Sequence, residues 1–404
     1  MLASAAFYYS YGVFLPFMCQ EFNWSRGVVA AGLSIGTLCL GLPSPLIGFL
    51  VAKLGPRKML FLGNLLFAIC LAGLSQVREV WQVYLLYSIG GFGAGCGGMV
   101  PSNTITNNWF NKKRALAMGI SSGMMGLGGF IIPPLVAIFI SSFGWRTSWL
   151  AEAGIVLVFS TIIGPLILVR NKPEDVGQLP DGVPRGLAEA NRASINQSAI
   201  DRDSAQWTVR RVMRQPATWL IISLLVSTSL VIGIMHSHQV AHIQDLGFSS
   251  LVAAMTVSVL SIAGIVGNLS YGGLVAKFGI RKLVSVAFVI RLAAMVILLL
   301  TNNLAMLYLY AVLFGISGAM IQTTAMTLVG NYYGRARFPQ IIGTIAVFMY
   351  IFLAAGPALG GFIYDTTGAY TVAFIIMIVF TVGGLACVFF ARPPQPKNAQ
   401  KAAT

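Results

Sequence analysis

An all-α integral-membrane fold is what this sequence predicts: twelve transmembrane helices in two six-helix bundles, related by a pseudo-two-fold axis along the membrane normal. Three observations predict it. Of 404 residues, 57% are hydrophobic and 9% charged, which is more apolar surface than one water-soluble core can hide and too little polar surface to cover it. The apolar residues fall into twelve stretches, each near the ~20 residues that cross a ~30 Å hydrocarbon layer as a helix, the element that satisfies its own backbone there. Finally, Gly48-Phe-Leu-Val-Ala-Lys-Leu-Gly-Pro-Arg-Lys58 returns as Gly272-Gly-Leu-Val-Ala-Lys-Phe-Gly-Ile-Arg-Lys282, an offset of 224 residues with eight of eleven positions identical.

The stretches run over 2 to 19, 28 to 51, 59 to 77, 82 to 106, 116 to 140, 149 to 169, 218 to 240, 252 to 275, 283 to 301, 305 to 329, 340 to 364 and 369 to 390. Met1 leads straight into the first, without the basic n-region or small-residue cleavage site of a secretory signal, so this helix is expected to be retained. It reaches only about 27 Å at about 1.5 Å per residue, and no cytoplasmic tail precedes it, so the start reads as truncated. Glycines crowd Gly91 to Gly98 and Gly123 to Gly129, but no phosphate-loop lysine follows, and close helix packing accounts for them. Only the sixth and ninth stretches hold a formal charge, Glu152 and Arg291. Each costs roughly 2.5 to 3.5 kcal/mol on insertion scales, which marks both as candidate functional residues.

The repeat sets the domain organisation. Gly119, Pro133 and Gly144 recur as Gly343, Pro357 and Gly368, so the repeat spans six helices. Six is even, hence the halves share one orientation, and a substrate site belongs between them near mid-membrane. The expected division is a first bundle over 1–170, a cytoplasmic linker over 171–217, a second bundle over 218–392 and a cytoplasmic tail over 393–404. Within the linker, Trp207 to Arg214 has the pattern of a short basic amphipathic helix, or of an ordinary basic loop.

A net charge of +15 could suggest nucleic acid, but the basic residues sort by side. Arg26, Arg78 and Arg146 fall in odd-to-even loops and Arg291 inside a helix, leaving 22 of the 26 Lys and Arg on the other side. The positive-inside rule places that side, and both termini, in the cytoplasm. The five cysteines, Cys19, Cys39, Cys70, Cys96 and Cys387, all lie in apolar stretches, where a small buried thiol is the usual occupant, so neither a disulfide nor a metal is expected. An enzyme would need a nucleophile–base pair or a metal cluster, which the stretches lack, and the tail is too short for a signalling domain. No cofactor is expected.

The repeated loop has the character of a gate. Gly48 and Gly272 would let helices approach, Gly55 and Gly279 would permit a tight reversal, and Lys53, Arg57, Lys277 and Arg281 would anchor it on the basic side. For protons, all three histidines lie at one end of the seventh stretch, in Met235-His-Ser-His-Gln-Val-Ala-His242. Histidine titrates near neutrality, so His238 is a coupling candidate, against the plainer reading of a solvated interfacial residue. Glu152 is the other candidate, with Arg146 or interfacial water as the plainer explanation.

At the repeated loop the sequence resembles the major facilitator superfamily, whose signature there is Gly-x-x-x-Asp-Arg-x-Gly-Arg-Arg. Its acidic residue is Ala52 here and Ala276 in the repeat, so a gating ion pair made through it is absent or replaced. Glu21-Phe-Asn-Trp-Ser-Arg26, Asn108-Trp-Phe-Asn-Lys-Lys-Arg-Ala-Leu-Ala-Met-Gly119 and Arg170-Asn-Lys-Pro-Glu-Asp-Val-Gly177 look like the bacterial monocarboxylate transporter and oxalate/formate antiporter branch.

The resemblance implies a monomeric secondary transporter in a bacterial inner (plasma) membrane, moving a small organic anion such as lactate or pyruvate with a proton by rocking of the halves. An exporter of a neutral or cationic amphiphile, or an organic-anion exchanger, is the alternative. Members of this type carry a carboxylate-binding arginine in the eighth helix, where this chain has Asn268, and oxalate exchangers a lysine in the eleventh, where it has Met349. Nine residues separate Asn268 from Lys277, and nine separate Arg291 from Lys282. Both therefore lie about 13 Å from the same loop, and Arg291 is expected to reach toward Asn268 and offer a carboxylate its fork. Tyr11, Asn103, Gln322, Thr323 and Tyr350 are the uncharged polar residues expected to line the path, or else to bond between helices.

Overall fold

The computed structural model describes residues 2–110, 114–178, 208–333 and 338–390. Most of the linker and the tail, 393–404, lie outside the described residues. Among the described residues, nine helices are long and apolar enough to cross a membrane, or eleven when each of two bent pairs counts as one span.

The first bent pair, Leu2–Tyr9 with Tyr11–Phe22, covers the first predicted span and bends by 40° at Ser10. There the Ser10 hydroxyl donates to the Ala6 carbonyl at 2.5 Å, competing with the helix's own bonds. In the second span, Arg26–Gly41 and Ser44–Leu54 meet at 50° across Pro43, which has no N–H to continue the ladder. Pro56–Leu74 is the third, and the fourth runs as Val80–Cys96 and Met99–Trp109. Met124–Leu168 is one stretch by length but covers both the fifth and sixth predicted spans, and it breaks at Gly144, where φ is 79°.

Beyond the linker the spans are Pro216–Asp245, Ser250–Phe278, Ile280–Leu299, Leu304–Tyr333, Phe338–Thr367 and Thr371–Phe390, the seventh to twelfth in the predicted order. Only Val209–Met213 of the linker's basic segment is helical, capped by the Thr208 hydroxyl.

At the repeated loop, Gly55 and Gly279 have φ of 84° and 79°, a backbone that side chains with a Cβ rarely adopt, and each starts the next helix at once. Gly48 and Gly272 correct their expectation: a Cβ built on either meets nothing within 4 Å, so neither serves a close helix contact here. Arg57 does not reach across to the other half. Its Nε and Nη2 donate to the Pro165 and Leu166 carbonyls at 2.6 and 2.8 Å, and its backbone N–H to Asn171 Oδ1 at 2.9 Å. It thus satisfies the end of the sixth span, where carbonyls lack intrahelical partners.

The halves meet along three pairs of spans, the second on the eleventh, the fifth on the eighth and the first on the seventh. Small residues allow it. A Cβ on Gly361 would lie 2.4 Å from the Cα of Gly27, and one on Gly12 would lie 2.5 Å from the His236 carbonyl. The Ser34 hydroxyl accepts from the Ala358 backbone N–H at 3.1 Å, joining the second and eleventh spans in mid-helix.

Candidate functional site

The halves are joined by charged and polar contacts at the end remote from the repeated loop, where Arg26 opens the second span. The Ser25 side chain caps that helix, leaving the first free N–H groups to other acceptors. Asp365, from the end of the eleventh span, takes two of them: the N–H of Arg26 at 3.0 Å and of Gly27 at 2.8 Å. A carboxylate is favoured there by the helix dipole. The Arg26 guanidinium forks onto Asp245 at 2.6 and 2.7 Å, donates to the Tyr370 hydroxyl at 3.0 Å and lies 4.0 Å from the Tyr364 ring centroid. Every one of these partners belongs to the second half.

Beneath this contact lies His238, 1% exposed. Its Nε2 is 2.7 Å from the Pro357 carbonyl and its Nδ1 3.1 Å from the Tyr370 hydroxyl. A carbonyl only accepts, so Nε2 carries the hydrogen and Nδ1 accepts from Tyr370. The plainer reading of His238, a solvated interfacial residue, does not hold: it is buried with both ring nitrogens engaged. The His236 ring lies 4.9 Å from that of Tyr9, tilted by 59°, and the His242 ring meets that of Tyr370 edge-on at 5.5 Å.

Toward the repeated loop lie several of the uncharged polar candidates. Leu269 is 78% exposed, and Gln322 and Asn268 are exposed as well. Thr323 donates to Asn268 Oδ1 at 2.7 Å, which leaves the Asn268 NH2 as the donor end of the pair. Asn103 is half-buried in the fourth span. Tyr350 is half-buried and its ring occupies the space where a Cβ on Gly41 would go, so first-half and second-half helices touch at mid-depth. Tyr11 is fully buried and donates to the Val29 carbonyl, a bond between the first and second spans.

Two expectations are corrected by the buried charges. Arg291 is 1% exposed and sits 4.8 Å from the Phe314 ring centroid, with Nε, Nη1 and Nη2 all without a hydrogen-bond partner. Its Nη2 lies 2.5 Å from where a Gly318 Cβ would be. Gly318 and Thr323 are five residues apart, about 140° around the tenth span. That helix thus separates Arg291 from Asn268, and the expected fork toward Asn268 is not formed. Glu152 is not paired with Arg146, which bonds Glu21 at 2.7 Å instead. It is 3% exposed with neither oxygen bonded, among the apolar Leu2, Ala6, Ile132, Val136 and Val156.

Sequence reasoning missed Asp245, Asp365 and Tyr370, because each stands at a helix end where a polar residue is unremarkable. It also missed Gln239, 4% exposed, whose Oε1 accepts from Tyr310 at 3.1 Å. The remaining signal for the gate was present in Arg26 itself, one of three basic residues on the depleted side.

Comparison with known proteins gives this arrangement its kin. Monocarboxylate transporter 13 of Rattus norvegicus is 23% identical over 93% of the chain and 82% of its own length. Monocarboxylate transporter 4 of Mus musculus is 23% identical over 99% of the chain and 84% of its length. The Probable L-galactonate transporter of Escherichia coli (strain K12) is 27% identical over 93% and 83%. The family profile described as Major Facilitator Superfamily matches residues 1–267 and 239–404. With that match running through the described helices of both halves, the chain belongs to the Major Facilitator Superfamily.

Proposed function

We propose that this protein is a secondary active transporter that carries a small monocarboxylate together with a proton by alternating access. The observation that carries the reading is the contact between the halves at one end, where second-half side chains grip Arg26 and Gly27. Halves latched together at one end in this way make one of the two states that alternating access requires, with access from the other end. By the positive-inside rule the latched end faces away from the cytoplasm.

Relatives named for monocarboxylate and galactonate transport support a carboxylate substrate. On this reading the carboxylate is received by the Asn268 NH2, oriented by Thr323. Arg291 adds positive potential from the far side of the tenth span, where a buried charge with no hydrogen-bond partner among the described residues is poorly screened. His238 and Glu152 are the groups proposed to take the proton. The uncharged Asn268–Thr323 pair favours one other reading, an exporter of a neutral or cationic amphiphile.

Purified protein in proteoliposomes separates the two. Lactate or pyruvate uptake driven by an inward pH gradient, and abolished by a protonophore, is the expected result. No carboxylate uptake, together with gradient-driven movement of a hydrophobic cation, would sink the carboxylate reading.

A further inference from the structure

We propose that His238 is a proton-binding site that controls the Arg26 latch through Tyr370: neutral His238 holds that end of the transporter shut, and its protonation releases it. This rests on the alternating-access reading above and goes further by naming what a proton does to the gate.

The argument is one of donors and acceptors. The Pro357 carbonyl fixes the hydrogen on Nε2, so the lone pair of Nδ1 is what receives the Tyr370 O–H. With its hydrogen committed to His238, the Tyr370 oxygen offers its lone pairs to Arg26 Nη1. The order Arg26 to Tyr370 to His238 to Pro357 is then a single-direction chain of four groups, with every hydrogen accounted for. It begins in the first half and ends in the second. A proton added at Nδ1 reverses the middle bond: imidazolium N–H now points at the Tyr370 oxygen, the phenol hydrogen loses its acceptor, and two cations share one oxygen. Two like charges about one residue apart in a poorly hydrated site repel strongly. Of the two, Arg26 is the one that can leave, since it belongs to the other half.

The charged and titratable groups around His238 do not offer it a counterion. On its own span stand His236, His242 and Asp245. Asp245 is already forked to Arg26. The eleventh span presents Tyr364 and Asp365, whose oxygens are held by the Arg26 and Gly27 N–H groups. From the twelfth comes Tyr370, from the second Arg26, and from the first Tyr8 and Tyr9, which face His236. A Cβ on Gly360 would lie 2.7 Å from His238 Cδ2, so the ring is also confined against turning away. Free carboxylates ordinarily titrate below about pH 5, so a transition between about pH 8 and 5.5 belongs to a histidine or to the buried Glu152, and the His238 variants below separate the two.

The test reads the gate directly and uses no substrate. Spin labels are placed on Gln76→Cys in the first half and Asn302→Cys in the second, both exposed at the Arg26 end, with the native cysteines replaced by serine. Distances are then measured in nanodiscs at pH 8 and 5.5. The expected result is a rise of about tenfold in the longer-distance population at pH 5.5. His238→Gln, whose amide can donate to Pro357 and accept from Tyr370 but cannot take a proton, is expected to stay short at both values. Tyr370→Phe is expected to show a pH-independent distribution shifted to longer distance, and His242→Gln to behave as the parent. A parent distribution that does not change with pH, or a His238→Gln protein that still responds, overturns the proposal. So does loss of the response in His242→Gln alone. His238→Asn, run in parallel, decides the matter if His238→Gln does not fold. Since no carboxylate is present, failure of the monocarboxylate reading would leave this result standing.

Discussion

Ser258 donates its hydroxyl to the backbone carbonyl of Phe130 at 2.6 Å. Phe130 stands four residues before Pro134, whose ring has no N–H to return to that carbonyl, so the fifth span carries an open acceptor that the eighth span fills. Ser258→Ala is expected to strand the carbonyl and cost about 1 to 3 kcal/mol, seen as a lower thermal unfolding temperature in detergent. In the Pro134→Ala background the same substitution should cost much less, because the helix then satisfies its own carbonyl. Equal losses in both backgrounds would mean the bond is incidental.

Gly27 and Gly361 form a contact of a different kind, one that exists only while the Arg26 end is shut. A Cβ on Gly361 would come within 2.4 Å of the Gly27 Cα, a backbone atom that cannot step aside. Gly361→Val is therefore expected to hold that end open with the fold intact. Labelling of Ser34→Cys by a membrane-impermeant thiol reagent should increase, since Ser34 is 8% exposed in the closed contact, and uptake should fall by at least about tenfold. Unchanged labelling would show that the halves can close without this approach.

How legible was this in the sequence? Glycine reversals at Gly55 and Gly279 were, and so was an all-helical chain with many helices of membrane-spanning length, since they depend on local backbone and hydropathy. The bends at Ser10 and Pro43 could be read only as permitted. What the sequence concealed was pairing across the halves. Asp365 binds N–H groups 338 and 339 residues away, and no periodicity reports such a contact. The azimuth of Arg291 relative to Asn268 was not legible, since the five-residue step from Gly318 to Thr323 puts their contacts on different faces of one helix. For Gly48 and Gly272, identity in both halves suggested a helix contact that this state of the protein does not contain.

Arg291 gives a prediction with opposite signs for stability and function. It is buried without a hydrogen-bond partner, so Arg291→Met, of similar length and apolar, should leave the unfolding temperature unchanged or raise it. Across one helix diameter of about 10 Å, an effective dielectric of about 20 gives roughly 1.5 kcal/mol of attraction for a carboxylate. The KM for a monocarboxylate should accordingly rise about tenfold, with a smaller change in maximal rate. A variant that is stable and keeps its KM would remove Arg291 from substrate recognition.

Glu152 supplies the last prediction, and it bears on stoichiometry. Its carboxyl lies against an apolar cleft of the first half with the Ser10 hydroxyl nearby, and among the described residues it has no cation and makes no hydrogen bond within normal geometry. Any negative charge it acquires during transport must be compensated by movement of that bundle toward water, because an isolated carboxylate is costly in such surroundings. Glu152→Gln keeps the shape of the protonated acid and cannot release a proton. If Glu152 carries the coupled proton, the variant should lose pH-gradient-driven accumulation while still exchanging labelled substrate between equal pools on the two sides. The latch should then keep its own pH response, since that belongs to His238. Accumulation at the parent level in Glu152→Gln would instead assign the proton to the latch alone, and Glu152 would be a neutral polar group of the bundle.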